Sequence, residues 1–511
     1  MLTLSLYIKK NMSYRVLFFY ALFLGISQTA NAGKTVFTMT DNCLKAQALL
    51  YELKLDDADA LLIKEAAANS DNIAVNWLSE SVIFLRIFTS EDQSIYSNYA
   101  KQWHTLIEKT EALSFNNAWY RFILSDMLIH RGLIRLKFNE TFTAGSDIKS
   151  AFKHLKDNKK MFPSFLPDNK NYGFLICAFS SVPSKYQWLA KLIGFEGDMS
   201  VGLAEIEAYL KSDLTVKEHV WMKLETAFIY AMVQHHLNKN SEIAWKTIDP
   251  YTKSYKTIVL ENYMRATVAN YSGRNDEMLA VLSVKPSHFS GTPFYYMDYL
   301  LGLAKLRHQD SDADIYFKIF TVKYKGKNYL KSAYRYLSWT CQLKNDPATA
   351  KTYYSMAVKL GTAIIEEDKQ AEREGAEALI WPVNILKARL LYDGHYLDKS
   401  LAILNTIKES ELSHKKFKLE LNYRKARVLH DNNDLTSAIP LYTKVIESGK
   451  SETYYYAAYS ALQLGYIYEK QVNKVLAKQY FTMAKNSFPN NKEYVSSIEQ
   501  KAKAALKRLG K

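Results

Sequence analysis

Four triplets in the C-terminal third combine cations, aromatics and hydrogen-bonding groups at a spacing that keeps each triplet on one side of a helix. They are Arg335, Trp339 and Gln342; Ile385, Arg389 and Tyr392; Tyr423, Arg427 and His430; and Leu462, Tyr466 and Glu469. Offsets of four and then three residues line up along one helical stripe. Three arginines with large aromatics between them would grip an extended peptide, the guanidinium forks taking acidic side chains or a free carboxylate. The same pattern also suits aromatics packed between neighbouring repeats with solvated arginines beside them. Both readings stand on the sequence.

Other reactive residue types converge less well. His235, His236 and His219 have metal-ligand chemistry, but adjacent histidines leave a helix in different directions and no carboxylate sits at metalloprotease spacing. A solvated hairpin tip is expected there. Glu366, Glu367, Asp368, Glu372 and Glu374 interleave with Lys369 and Arg373, the composition of a solvated face of weak ion pairs. Cys43, Cys177 and Cys341 have no CxxC spacing and read as separate buried thiols. Phosphate loops, dinucleotide fingerprints and nucleophile elbows do not occur, so no cofactor, metal or catalytic residue is expected.

The elements that must carry the stripe announce themselves by small residues. Ser338/Ala350, Ala388/Ser400, Ala426/Ala438 and Gly465/Ala477 each lie twelve apart, followed four residues on by Tyr354, Leu404, Tyr442 and Phe481. A fifth position repeats as Ala357, Ile407, Val445 and Ala484. Two helices cross closely where both offer small side chains, and the bulky residue fills the gap one turn further. The phase resembles the tetratricopeptide repeat, which implies an all-α solenoid of helical hairpins. Scarce turn-formers agree, since glycine is 18 and proline 10 of 511 residues, against usual shares of about 7% and about 5%.

Charge and the N-terminus bound the setting. Lys9, Lys10 and Arg15 precede an apolar run from Val16 to Ile26, and Ala30-Asn31-Ala32 supplies a small-x-small cleavage pattern. That run is about half of the roughly 20 residues needed to cross a bilayer. Residues 1–32 therefore read as a signal peptide and the location as periplasmic. Its removal lowers the formal charge from +15 to +12. A basic chain meets acidic proteins, anionic membranes or nucleic acid, and export leaves nucleic acid the poorest partner.

Along the chain, residues 33–215 read as an N-terminal helical region and 216–511 as tetratricopeptide-like repeats closed by a capping helix near Lys501–Lys511. A first hairpin is expected to turn near Asp56-Asp57. Later amphipathic stretches are Trp77–Phe88 and Trp119–Phe138, and Pro163 and Pro167 break the chain between Met161 and Asn169. Residues 171–184 carry no charge; a helix buried between repeats is expected, with an interfacial or apolar-ligand-binding helix as the alternative. Asp198 is placed to cap the helix containing Met199, Leu203 and Ile206. Two lobes would meet near residue 215.

Gly173-Phe174-Leu175, Ser181-Val182-Pro183, Leu192-Ile193-Gly194-Phe195-Glu196-Gly197-Asp198 and Gly202-Leu203 resemble the signature of the inclusion body clearance family, which includes the tetratricopeptide repeat domain 39 proteins. The chain is also similar to exported bacterial tetratricopeptide proteins through Tyr324-Lys325-Gly326-Lys327-Asn328-Tyr329 and Lys387-Ala388-Arg389-Leu390-Leu391-Tyr392-Asp393-Gly394-His395-Tyr396. The signature segment falls in 171–203, and the resemblance covers about residues 45–490. It implies a non-enzymatic adaptor that binds a protein or peptide along its groove, from about residue 330 to 470.

Overall fold

A computed structural model describes residues 35–113, 116–180, 197–214, 217–284 and 291–510. These residues form twenty-four α-helices, and their only bridge of β type joins Val36 to Asn72. The architecture is the expected all-α solenoid.

Eleven hairpins follow one another. The first four pair α1 (Asp41–Tyr51) with α2 (Leu55–Ala68), α3 (Ile73–Ser90) with α4 (Gln93–Ala112), α5 (Ala118–Lys137) with α6 (Thr141–Met161), and α7 (Asp168–Ser180) with α8 (Met199–Leu210). The next four pair α9 (Lys217–His236) with α10 (Ser241–Ile248), α11 (Val259–Tyr271) with α12 (Asn275–Ser283), α13 (Tyr296–His308) with α14 (Ala313–Lys323), and α15 (Leu330–Leu343) with α16 (Pro347–Lys359). A single helix, α17 (Glu366–Glu377), interrupts the array. Three hairpins then remain: α18 (Val383–Asp393) with α19 (Leu397–Thr406), α20 (Lys415–Asp431) with α21 (Leu435–Gly449), and α22 (Tyr456–Lys470) with α23 (Lys474–Asn486). The last helix, α24 (Val495–Leu509), covers the open end with Ile498, Ala502 and Ala505.

The small-residue phase is the packing seam. Ser338, Ala350, Ala357, Ala388, Ser400, Ala426, Ala438 and Ala477 are all fully buried, as are Leu404, Tyr442 and Phe481. A Cβ placed on Gly465 would lie 2.5 Å from the Phe481 ring, so only glycine lets α22 and α23 approach this closely. At Ser400 the side chain does double duty, its Oγ donating to the Ala388 carbonyl at 2.8 Å. The looser echo at Gly302 and Phe317 is also a hairpin seam, with 3.1 Å between a Gly302 Cβ and the ring.

Glycine is scarce because the turns do without it. Leu53, Glu91, Asn139, Lys239, Gln309, Asn345, His395, Asn433 and Val472 each take a left-handed backbone between the two helices of a hairpin. The next residue closes a bond back across the helix end, as from Asp434 N to Leu429 O and from Asn473 N to Tyr468 O. That same residue then caps the second helix: Asp434 accepts from Ser437 N and Asn473 from Leu476 N. In the first hairpin this puts the turn at Leu53. Asp56 and Asp57, expected in the turn, instead open α2, where carboxylates face the positive end of the helix dipole.

Successive windings touch. Thr292 N donates to Leu53 O at 2.7 Å, and Asn328 Nδ2 to Glu91 Oε2 at 2.7 Å. Asn275 Nδ2 reaches the Tyr396 hydroxyl at 3.1 Å. The apolar core runs without a break past residue 215, joining Tyr209 and Leu224 to residues as early as Met39 and as late as Phe294. The uncharged stretch faces this core as far as it is described: Leu175, Ile176, Cys177 and Phe179 of α7 are buried, and residues 181–184 lie outside the described residues. Tyr172, Phe174 and Ala178 stay half-buried, and no residue between 171 and 180 is exposed. Asp198 caps α8 as expected, accepting from Ser200 N at 2.8 Å. Among the described residues no helix is long and apolar enough to cross a membrane. The expected signal peptide, residues 1–32, lies outside the described residues.

Two substitutions test the seam and the turn. A Cβ at Gly202 would meet Cys177 Sγ at 2.5 Å and Gly173 O at 2.8 Å; Gly202→Val should cost about 3 kcal/mol or more, seen as lost hydrogen-exchange protection in α7 and α8. Val472 is β-branched, 78% exposed and left-handed. Val472→Gly should raise the unfolding midpoint, by up to about 1 kcal/mol.

Candidate binding surface on the inner helices

The first helix of each C-terminal hairpin is the inner one, and the charged stripe divides along it. Arg335, Trp339, Gln342, Arg389 and Tyr423 are buried inside the chain, while Tyr392, Arg427, His430 and Tyr466 stay half-buried. Helix α17 causes the division. It packs on α15 and α16 so tightly that a Cβ on Gly375 would come within 2.8 Å of Tyr354 O.

Glu374 of α17 takes the role expected of an acidic partner. Its Oε1 lies 3.2 Å from Arg389 Nη2 and 3.6 Å from Arg335 Nη1, and Gln370 donates to it at 3.1 Å. The guanidinium of Arg389 sits 4.5 Å from the Trp339 ring centre and that of Arg335 at 5.0 Å. Burial works against the Glu374 carboxylate, but Arg389, Arg335 and Lys416 outweigh it and hold its pKa at about 2. Gln342 is spent internally too, donating to Tyr354 Oη at 3.1 Å and accepting from Trp381 N at 2.9 Å.

The reading of residues 366–374 as a solvated face is corrected here. Asp368 and Glu374 are buried. Asp368 accepts from Tyr329 N at 2.6 Å and Ser332 N at 2.9 Å, so it caps α15 from a helix far along the chain. Burial raises its pKa to about 7 against those two bonds. At the other end of α17, fully buried Lys416 joins Glu377 at 2.6 Å to Glu493 at 3.3 Å, and Glu493 accepts from Tyr455 N. Glu366 keeps the expected loose pairs, with Arg373 at 3.2 Å and Lys369 at 3.8 Å, and solvent-facing Glu372 pairs with Lys331 at 2.9 Å.

Arg427 is the predicted arginine left open. Its side chain is 24% exposed, and its carboxylate neighbour is Asp431 at 3.8 Å. Asp431 is already engaged by the Tyr392 hydroxyl at 2.7 Å. The guanidinium lies 5.4 Å from the Tyr392 ring centre and donates to the Tyr423 hydroxyl at 3.3 Å. His430 faces Tyr442 Oη at 3.3 Å, and burial holds its pKa below the ordinary value. Tyr466 packs edge-on against Phe481.

Sequence reasoning missed an aromatic floor in the earlier hairpins. Half-buried Phe88, Phe228, Tyr263, Tyr271, Tyr296 and Tyr329 come from four inner helices and a connecting turn. Phe88 and Tyr263 stand 6.2 Å apart, Phe228 and Tyr263 6.0 Å, Tyr263 and Tyr296 6.4 Å, and Tyr296 and Tyr329 4.6 Å. The available signal was an aromatic on each inner helix, but no clear small-residue phase marks those hairpins. His235 and His236 both pack on Tyr271, at 5.0 and 4.5 Å. Burial lowers the His235 imidazole to a pKa of about 4. His235 is half-buried rather than solvated, while His236 is exposed as a tip residue would be. Among the described residues no group of three or more His, Cys, Asp or Glu is placed to hold a metal ion.

A second set of buried charges ties the N-terminal hairpins together. Glu80 accepts the Trp103 indole and contacts His130 Nδ1, each at 3.0 Å. Asp126 takes Lys170 at 2.9 Å, the Trp77 indole at 2.9 Å and Asn171 at 2.8 Å, and Lys170 continues to Glu225 at 3.1 Å. Glu80, Asp126 and Lys170 are shut away from solvent, so these groups hold helices together. The open cleft of about 370 Å³ between Pro382 and Ser413 has Glu411 as its titratable lining residue, which leaves it without an acid–base pair.

Comparison with known proteins adds little. No protein-family description matches the chain, and no curated protein qualifies as a relative. Among solved structures it is similar to a "circular tandem repeat protein with novel repeat topology and enhanced subunit contact surfaces", at 10% identity over 92% of this chain and 96% of that one. The TM-score is 0.15, so the repeat architecture rests on the helices described above.

Two tests follow from the buried charges. Arg389→Ala takes the nearer guanidinium from Glu374, leaving Arg335 at 3.6 Å, and should cost about 3 kcal/mol; Arg427→Ala, at a half-buried pair held no closer than 3.8 Å, should cost about 1 kcal/mol or less, both read by denaturant unfolding. At His130 burial is outweighed by Glu80 and Asp126, which raise its pKa from 6.5 to about 9, with Lys170 opposing. Its contribution to stability is then full below pH 6.5 and lost as pH rises through 9. His130→Gln should flatten that part of a pH–stability profile.

Proposed function

We propose that this chain is a non-enzymatic protein-interaction scaffold that holds an extended partner segment along its inner helices and reads a carboxylate of that segment with Arg427. The observation carrying this reading is the state of Arg427. It is a half-buried guanidinium stacked beside Tyr392, with its acidic neighbour at 3.8 Å and already bonded elsewhere. Much of its desolvation cost is met by the fold, and an incoming carboxylate can form the short paired bonds that Asp431 does not. His430 and Tyr466 stand on the same predicted stripe, while Arg335, Trp339, Gln342 and Arg389 support it from beneath. The signal-like N-terminus favours the periplasm as the place of action. Resemblance to exported bacterial tetratricopeptide proteins and to the inclusion body clearance family favours an adaptor over an enzyme.

Charge reversal separates recognition from folding. Arg427→Glu should abolish crosslinking to the partner in cells while the circular dichroism spectrum stays unchanged. Arg389→Glu should disturb the spectrum itself. Undiminished crosslinking by Arg427→Glu would refute the assignment.

A further inference from the structure

Helix α6 carries an uncompensated stripe of cations on its outer side. Lys149, Lys153, Lys156 and Lys160 are all exposed. Their spacing of four, three and four residues puts them within an arc of about 60° over about 16 Å of helix. None of the four has an ion-pair or hydrogen-bond partner among the described residues. The exposed acid of the helix is Asp157, which stands at the edge of the stripe and bonds none of them, while Asp147 is buried against Arg131 and Arg135. Exposed lysines on other helices differ. Lys211, Lys253 and Lys318 each touch a carboxylate one turn away, at Glu207, Asp249 and Asp314. Like charges three and four residues apart repel one another, so the α6 stripe gains nothing from contacts within the chain.

Apolar side chains stand at both ends of the stripe. Phe142, in the first turn of α6, is 76% exposed and falls in the same arc. Leu136, three residues before the turn at Asn139, is exposed as well, and so is Met161 at the far end. The exposed acid at the tip, Glu140, is engaged by the Tyr96 hydroxyl at 2.9 Å. This composition selects among anionic partners. Protein interfaces favour arginine and are poor in lysine, whose mobile, strongly hydrated ammonium loses entropy in each fixed contact. A layer of lipid phosphates takes lysines without fixing them, each adding about fivefold to the partition onto an anionic bilayer. An aromatic beside them enters the headgroup layer. Nucleic acid offers phosphates but no apolar layer for Phe142, Leu136 and Met161.

We infer that the outer face of α6 docks on an anionic phospholipid surface, its four lysines among the phosphates and Phe142 among the headgroups. Attachment of this kind is shallow and needs no membrane-crossing helix. It is also screened, as the reach of a charge falls from about 8 Å at physiological salt to about 3 Å at 1 M. Because α6 is the second helix of its hairpin, docking there leaves the first helices, and Arg427 with them, uncovered.

The test is co-sedimentation of the full chain with vesicles of phosphatidylcholine alone and of phosphatidylcholine mixed with phosphatidylglycerol. The mixed vesicles should carry down more protein than the neutral ones, and molar salt should remove the excess. Lys149→Glu combined with Lys156→Glu should remove it too, with the unfolding midpoint unchanged. Lys351→Glu combined with Lys359→Glu, an equal change of charge at exposed lysines of α16, should keep most of it. Phe142→Ser should weaken binding several-fold and leave its salt dependence in place. The inference is overturned if neutral vesicles bind equally, or if the α16 pair removes as much binding as the α6 pair. It is also overturned if the chain binds polyglutamate or duplex DNA but neither vesicle. Arg427→Glu should leave vesicle binding intact, so a failure here and a failure of the scaffold reading are told apart.

Discussion

Four C-terminal hairpins depend on two helices crossing where neither has a side chain larger than a methyl or hydroxymethyl group. At Ala426 and Ala438, Ala388 and Ser400, or Gly465 and Ala477, this closeness lets Tyr442, Leu404 or Phe481 close the space beside the crossing with no solvent left in the seam. Because the crossing is alike in these four hairpins, their first helices fall on one side and line a common inner surface. What the protein does with that surface is then decided by the residues between the seams. A bulky residue at a crossing would move two helices and every side chain they present, which is why seam and surface cannot vary independently.

The inner surface is not left empty. Where the array is interrupted, α17 lays a polar helix against α15 and α16, and Glu374 meets two arginines that stack on Trp339. Buried ion pairs are poor sources of stability, because desolvation consumes most of their attraction. Their value here is positional. A carboxylate fixed between Arg335 and Arg389, another capping α15, and Lys416 bridging Glu377 to Glu493 allow α17 one seat only. The helix also ties the eighth hairpin to the chain leading into α24, and this stiffens the inner surface on which Arg427 is half-buried.

Legibility in the sequence followed the range of the interaction. Ala426, Ala438 and Tyr442 are within sixteen residues of each other, so their periodicity alone revealed the hairpin. The cap at Asp198 was readable for the same reason, as its partners are two and three residues away. Turns were harder. Leu53 and Val472 adopt a left-handed backbone that their side chains disfavour, and nothing in a leucine or valine advertises it. The burial of Asp368 and Glu374 was not legible at all. Polar residues at helical spacing look solvated unless their partners are known, and those partners lie at Ser332, Arg335 and Arg389. The stripe itself was found, but its split into buried and open arginines depended on a helix whose docking no local pattern records.

That split bears on how such a surface can recognise anything. A fully solvated arginine gives a partner little, since water competes for every bond. A fully buried and paired one, such as Arg389, gives nothing without breaking the fold. Arg427 lies between these limits: Tyr392 and Tyr423 hold it in place, yet Asp431 leaves it only partly neutralised. Groups held in this way lose little freedom when a ligand arrives, so a larger share of each contact appears as affinity. Such pre-arranged but unsatisfied groups favour recognition, and the Glu80–His130–Asp126–Lys170 set shows the alternative use of the same residue types. There Glu80, Asp126 and Lys170 are buried and paired within the set, and the charges hold helices together.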